Sequence, residues 1–189
     1  GGFDVICWST LDTGAVVRTP PVRPLWRGRR DAVKDRLYYR SAPLGLMKRS
    51  YLEEYGLQWD ADLNMGGDLR LSSILWSLGK TVALAAGPGY VIGADASDRV
   101  TMRLAPLDDE LRHIDQAWGG KGWAQQLDPK QRNALATKYL RIHIFGAAYY
   151  RAVANSWTGE DRAVLSRATA LILKRAPRAD RALSIADRR

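Results

Sequence analysis

The chain changes character at Pro106, and this break constrains its folding more than any other feature. Upstream, apolar residues come in short runs interrupted by Gly and Pro. Phe3–Ser9 predicts a strand, because β-branched and aromatic types dominate it. Thr19-Pro20-Pro21 and Pro24 then break any regular element across 13–27. A second strand is predicted around Leu44-Gly45-Leu46-Met47, and two more at Thr81–Ala86 and Gly89–Ile92, either side of Gly87-Pro88. Two helices stand among them. Ser50 is placed to cap a short one, Tyr51–Tyr55, that stops at Gly56. Asp68–Leu78 carries Leu71, Ile74, Leu75 and Leu78 at helical spacing, with Gly79 as its stop. Between them, 57–67 is rich in Asp, Asn and Gly and reads as irregular backbone.

Downstream the pattern is helical. Pro106–Trp118 has Asp108-Asp109-Glu110 in its first turn, where the helix dipole favours negative charge. Gly119-Gly120-Lys121-Gly122 interrupts it; the spacing is wrong for a phosphate loop and no Ser or Thr follows the lysine. Asp128-Pro129 opens the longest helix, with cap and Pro in the favoured order. Leu135, Tyr139, Ile142, Phe145, Tyr149 and Val153 then mark one apolar face. Glu160–Ala176 is a further helix with Leu165, Ala168, Leu171 and Ile172 inward, ended by Pro177. The expected organisation is α/β: a partial mixed sheet in 1–105, an α-helical region in 106–177, and a flexible polar tail in 178–189.

Charge decides less. The 29 Lys and Arg exceed the 20 Asp and Glu, for a formal charge of +9. Residues 106–189 carry 15 basic and 9 acidic side chains, against 14 and 11 before. The densest basic stretch, Arg18–Arg40, has eight cations and only Asp31 and Asp35. Such a balance favours anionic partners, yet solvated arginines on a surface explain it equally. Zinc-finger, RNP and basic-zipper patterns are absent. The apolar runs are too short to span a bilayer and no signal-peptide core opens the sequence. A single cysteine, Cys7, precludes an internal disulfide and suits a reducing compartment.

Few constellations carry chemistry. His113 and His143 lie 30 residues apart on separate helices, with no metal-binding spacing around them. Cys7 sits in a strand pattern and reads as a small core residue. There is no G-x-S-x-G elbow. Asp60, Asp62 and Asp68 are more informative, because they fall in the irregular stretch that leads into a helix. Asp68, at the helix start, has two readings. It caps the helix, as Asp often does; or its carboxylate, kept ionised by the dipole, accepts a proton from a hydroxyl held above it.

At this point a family resemblance enters. Leu44-Gly45-Leu46-Met47-Lys48-Arg49-Ser50-Tyr51-Leu52, then Tyr55-Gly56-Leu57-Gln58-Trp59-Asp60, then Gly66-Gly67-Asp68 before a helix ending Leu78-Gly79-Lys80, resembles the second half of family-2 glycosyltransferases. The resemblance implies a partial GT-A-like mixed sheet and inverting sugar transfer from a nucleotide-sugar donor to a sugar or lipid-linked acceptor. It implies that Asp68 is the general base, in the position of the Asp of the family's Glu-Asp pair, with Gly67 where Glu is common. Trp59, Gly66 and Gly67 then belong to the acceptor side, Trp59 as an aromatic face for a sugar ring. Tyr90–Thr101 resembles the segment near the donor diphosphate, which brings Arg99 into that vicinity.

The same resemblance implies a missing part. The family's nucleotide-binding half comes first and closes in a D-x-D motif for metal and diphosphate. Phe3-Asp4-Val5-Ile6 resembles the strand just after it, so on the order of one hundred residues are expected upstream. A divalent cation, Mg or Mn, is expected for the complete enzyme, with its ligands outside this sequence. Asp60-Ala61-Asp62 follows Trp59 in the acceptor loop and does not close an apolar strand, so no metal site is assigned here. The expected location is cytoplasmic, at the inner face of the cell membrane, with peripheral membrane contact and without nucleic acid. A competing expectation is a non-catalytic module, in which Asp128–Trp157 and Glu160–Ala176 bind acidic membrane or nucleic acid.

Overall fold

A computed structural model describes residues 4–6, 9–11, 23, 30–41, 45–78, 82–84, 90–92 and 104–188. The chain divides into two compact units. The first is Gly1–Asp60 with Asp68–Arg99, and the second is Ala61–Gly67 with Val100–Arg189.

In the first unit the described strands are β1 (Asp4–Ile6), β2 (Ser9–Leu11), β3 (Gly45–Leu46), β4 (Val82–Leu84) and β5 (Tyr90–Ile92). β1 pairs antiparallel with β3 and parallel with β4, while β2 pairs parallel with β5. Each ladder is only two or three residues long. The expected α/β class with a GT-A-like mixed sheet therefore does not hold: helices account for most of the described residues, and no extended sheet organises them. The physical reason is length. The predicted runs at 3–9, 44–47 and 81–86 commit only three, two and three residues to pairing, whereas 107–175 is helical almost throughout.

Helix α1 (Arg49–Glu54) starts after Lys48, which makes no side-chain cap; Ser50 lies inside the helix and not at its cap. Its end follows expectation. Gly56 takes a left-handed φ of +56°, and the N–H groups of Gly56 and Leu57 return to the carbonyls of Glu53 and Leu52. This is the Schellman arrangement, which needs a residue tolerant of positive φ. Helix α2 (Leu69–Ser77) buries Leu69, Leu71, Leu75 and Trp76. It packs on a 3-10 turn, Leu37–Tyr39, where Tyr38 Oη meets Ser77 Oγ at 2.7 Å and Trp76 Nε1 donates to the Arg40 carbonyl at 3.1 Å.

The second unit is built from α3 (Leu107–Trp118), α4 (Pro129–Lys138), α5 (Phe145–Val153) and α6 (Gly159–Arg175). α3 and α6 pack together through Leu107, Leu111, Ile114, Val164, Ala168 and Ile172, all buried. Asp108, Asp109 and Glu110 occupy the first turn of α3 as the charge pattern predicts. Thr158 and Asp161 form a capping box before α6, a Thr-x-x-Asp signature absent from the expectations above. Residues 178–183, expected in a flexible tail, instead form a 3-10 turn packed on α4. Ala179 is fully buried, its carbonyl accepts from Thr137 Oγ1 at 2.8 Å, and the Arg178 N–H donates to Asn133 Oδ1 at 3.0 Å.

Between α4 and α5 the chain winds as a π-helix, Tyr139–Ile144, with i→i+5 bonding in place of i→i+4. The extra residue in this turn displaces the apolar face predicted for the long helix. Leu135 and Tyr139 are buried as expected, but beyond them the buried set becomes Leu140, Ile144, Ala147 and Arg151. Ile142, Tyr149 and Val153, predicted inward, are 50%, 63% and 68% exposed.

Candidate functional site

Asp68 stands at the residue before α2, and its backbone is already helical at φ −82°, ψ −18°. Its carbonyl accepts from Ser72 N–H at 3.0 Å and Ser72 Oγ at 2.8 Å, which fixes the main chain. Its side chain makes no capping hydrogen bond. An effective cap needs extended backbone, which swings the carboxylate over the first free N–H groups. The helical φ and ψ at Asp68 do not supply that geometry. The capping reading of Asp68 is thus not realised, and the half-buried carboxylate stays available at the positive end of the helix.

Immediately before it, Gly66 has φ +78°, a conformation that side chains with a Cβ rarely adopt. Gly67 follows and is half-buried. Trp59 is 56% exposed, so its indole has a free face, whereas Trp76 is 3% exposed and belongs to the core. Among the described residues, no hydrogen bond or ring contact joins Trp59 to Asp68. Asp60 is half-buried and Asp62 is exposed, both beside a turn. Arg99, Cys7 and most of the Tyr90–Thr101 segment lie outside the described residues. No group of three or more His, Cys, Asp or Glu converges among the described residues, so no chemical step is derived through a bound metal here.

Two members of the basic stretch are engaged internally. Asp35 is fully buried and accepts from Arg23 Nε at 3.0 Å, Arg23 Nη2 at 2.7 Å, and the N–H groups of Arg23 and Asp31. Arg30 approaches the same carboxylate at 3.4 Å. Burial pushes the Asp35 carboxyl up, but these hydrogen bonds and the Arg23 charge outweigh it and hold the group well below the usual carboxylate range. Arg23 and Arg30 are therefore structural, not a reserve of charge for a polyanion.

The two histidines that sequence spacing keeps apart are brought together in the second unit. The His113 and His143 rings lie 4.5 Å apart, both against Tyr139, which also meets Trp118 edge-on at 5.5 Å. Lys138, 1% exposed, places Nζ 2.7 Å from His143 Nε2. Residues five apart on an α-helix point about 140° away from each other, whereas π winding brings them over one another. Burial, then the Lys138 charge, pushes His113 down to about 3 and His143 well below its ordinary value, so both imidazoles are neutral. Neighbouring Arg151, 3% exposed, ties α5 to α3 and α6 through Glu110 at 2.9 Å and Asp161 at 3.5 Å. It also donates to the Ala105 carbonyl at 2.8 Å. The Gly119–Gly122 loop offers no phosphate cradle. The Gly120 carbonyl points outward and accepts from Gln125 Nε2 at 2.6 Å and Arg175 Nη2 at 3.3 Å.

No family model matches the chain, and no curated protein matches it in sequence. In structure it is similar to S. aureus TarS 1–349, whose crystal structure was determined in complex with UDP-GlcNAc. The TM-score is 0.66 at 12% identity, and the match covers 94% of this chain and 51% of that one. At this identity the likeness establishes a shared, glycosyltransferase-like fold, and the chain spans about half the length of the structure it matches.

Proposed function

We propose that this chain is the acceptor-side part of a family-2 glycosyltransferase and that Asp68 is its general base. The observation that carries the reading is the Asp68 carboxylate, uncommitted to capping at the head of a buried helix. The shared fold supports it, because the similar structure was captured with a nucleotide sugar.

In this reading the acceptor hydroxyl lies against Asp68, which takes its proton as the oxygen attacks the anomeric carbon. The carbon–oxygen bond to the diphosphate breaks, and the electron pair leaves on the nucleoside diphosphate, with inversion of configuration. The N-terminal dipole of α2 favours the ionised base before the proton moves. Trp59 offers an apolar face to the acceptor sugar, and Gly66 with Gly67 lets the backbone approach it closely. Donor binding, Arg99 beside the diphosphate, and a divalent cation belong to the same proposal, with the donor and metal sites in an upstream half.

The test is Asp68→Asn in a chain joined to its donor-binding half, assayed for sugar transfer from a nucleotide-sugar donor. Loss of transfer with unchanged donor binding supports the assignment. Transfer at near the parent rate overturns it.

A further inference from the structure

We propose that the exposed face of α5 is a docking surface for an anionic lipid bilayer, with the helix lying on the membrane. The first observation is the stripe itself. Ile142, Tyr149 and Val153 follow one another at spacings of seven and four, with Tyr150 alongside, and they are between 50% and 68% exposed. A single exposed hydrophobe needs no explanation, but four along successive turns of one segment form a continuous apolar edge. The stripe results from the π turn, which rotates these side chains outward and Arg151 inward.

The second observation is charge. From Pro129 to Gly159 the sequence has no acidic residue, while Lys130, Arg132, Lys138, Arg141 and Arg151 are cationic. Arg141 is exposed beside Ile142 at one end of the stripe. An apolar edge free of carboxylates and set in a basic unit complements an anionic, partly apolar surface. The residue types narrow the partner further. Tyr149 and Tyr150, with rings in edge contact at 5.5 Å, combine an apolar body with a polar tip, the combination favoured at the headgroup boundary. A nucleic-acid face would need several exposed cations to neutralise phosphates, and this stripe has one. No helix among the described residues is long and apolar enough to cross a membrane, so contact is in the plane of the surface.

The experiment uses the whole chain and co-sedimentation with vesicles of phosphatidylcholine, with or without about one-third phosphatidylglycerol. Binding is expected to the phosphatidylglycerol vesicles, weaker at high salt and weaker still to phosphatidylcholine alone. Tyr149→Asp with Val153→Asp should lower the partition coefficient about tenfold or more. Ile185→Asp, at a site equally exposed at 68% but outside the stripe, should leave it unchanged. Arg141→Glu, a single surface change, should lower binding to the anionic vesicles only. Absence of binding at low salt, or equal binding by the double variant with its fold intact by circular dichroism, overturns the proposal. Displacement by duplex DNA, or a dimer that the double variant dissolves, overturns it in favour of that partner. No sugar transfer enters the readout, so this result and the Asp68 assignment fail or stand separately.

Discussion

Asp128 and Asp68 occupy the same position in the grammar of a helix, the residue before the first turn, and do opposite things with it. Asp128 has extended backbone at φ −62° and ψ 159°, and its carboxylate accepts from the N–H groups of Lys130 at 2.8 Å and Gln131 at 3.0 Å. Asp68 is already helical and accepts only through its carbonyl. The helix behind Asp128 is anchored by its cap; the helix behind Asp68 is anchored by burial of Leu69, Leu71, Leu75 and Trp76. The difference teaches that residue type and position do not make a cap. Backbone dihedral does, and it releases one aspartate for other work.

The sharpest way to break this contrast is to exchange each carboxylate for an uncharged group. Asp68→Asn should reduce transfer by about 10²–10⁴-fold in a chain joined to a donor-binding half, while its melting temperature stays near that of the parent. A parallel fall in stability would return Asp68 to a structural role.

Next in size is Arg151, the buried cation that holds the unit containing Asp128. Arg151→Ala strands Glu110 and Asp161 and should cost about 3–5 kcal/mol, read from the urea midpoint. A cost under about 1 kcal/mol would mean the guanidinium is a surface pair in effect.

Acid should separate the two units. Both histidines of the chain lie in the second. Folding keeps His113 neutral to about pH 3, whereas the unfolded chain takes up its proton near 6.5. Stability is therefore complete above 6.5 and falls as pH drops towards 3, by up to about 1.4 kcal/mol per pH unit from His113, with His143 adding in the same direction. In the first unit, Asp35 has the lowered carboxyl. Its contribution is present above the free value of 3.8 and is lost only below it. Amide exchange at pH 7 and pH 4.5 should thus show accelerated opening in α3 and the π segment, with 31–40 little changed. Equal acceleration in both would overturn the assignment.

The smallest effect is Asp128→Ala, which should cost about 1 kcal/mol by calorimetry without touching transfer. If Asp68→Ala destabilises as much, the comparison between the two aspartates fails.

Much of the helical architecture was legible from local signals. Asp128-Pro129 marks a true start, Gly56 a true stop, and the Leu71–Leu75–Trp76 side of α2 a true core. What escaped was set by longer-range facts. The strands around Val5, Leu46 and Ala83 read as longer than their pairing, because apolar type says nothing about how far a partner runs alongside. Asp35 collects Arg23 from twelve residues away, and His113 meets His143 across thirty, and no local period encodes either. Asp68 could be singled out by position, but its freedom from capping rests on two dihedral angles that the surrounding loop decides.

The π turn at Tyr139–Ile144 also has a meaning in terms of insertions and deletions. A helix that bonds i→i+5 for one turn holds one residue more than an α-helix of the same course needs. Deleting a single residue there would restore regular winding and rotate everything beyond it by about 100°. Ile142, Tyr149 and Val153 would then turn towards the core, and Arg151 would leave Glu110 and Asp161 for solvent. One residue of chain length thus selects which of two faces α5 presents, a change no substitution on either face would reproduce.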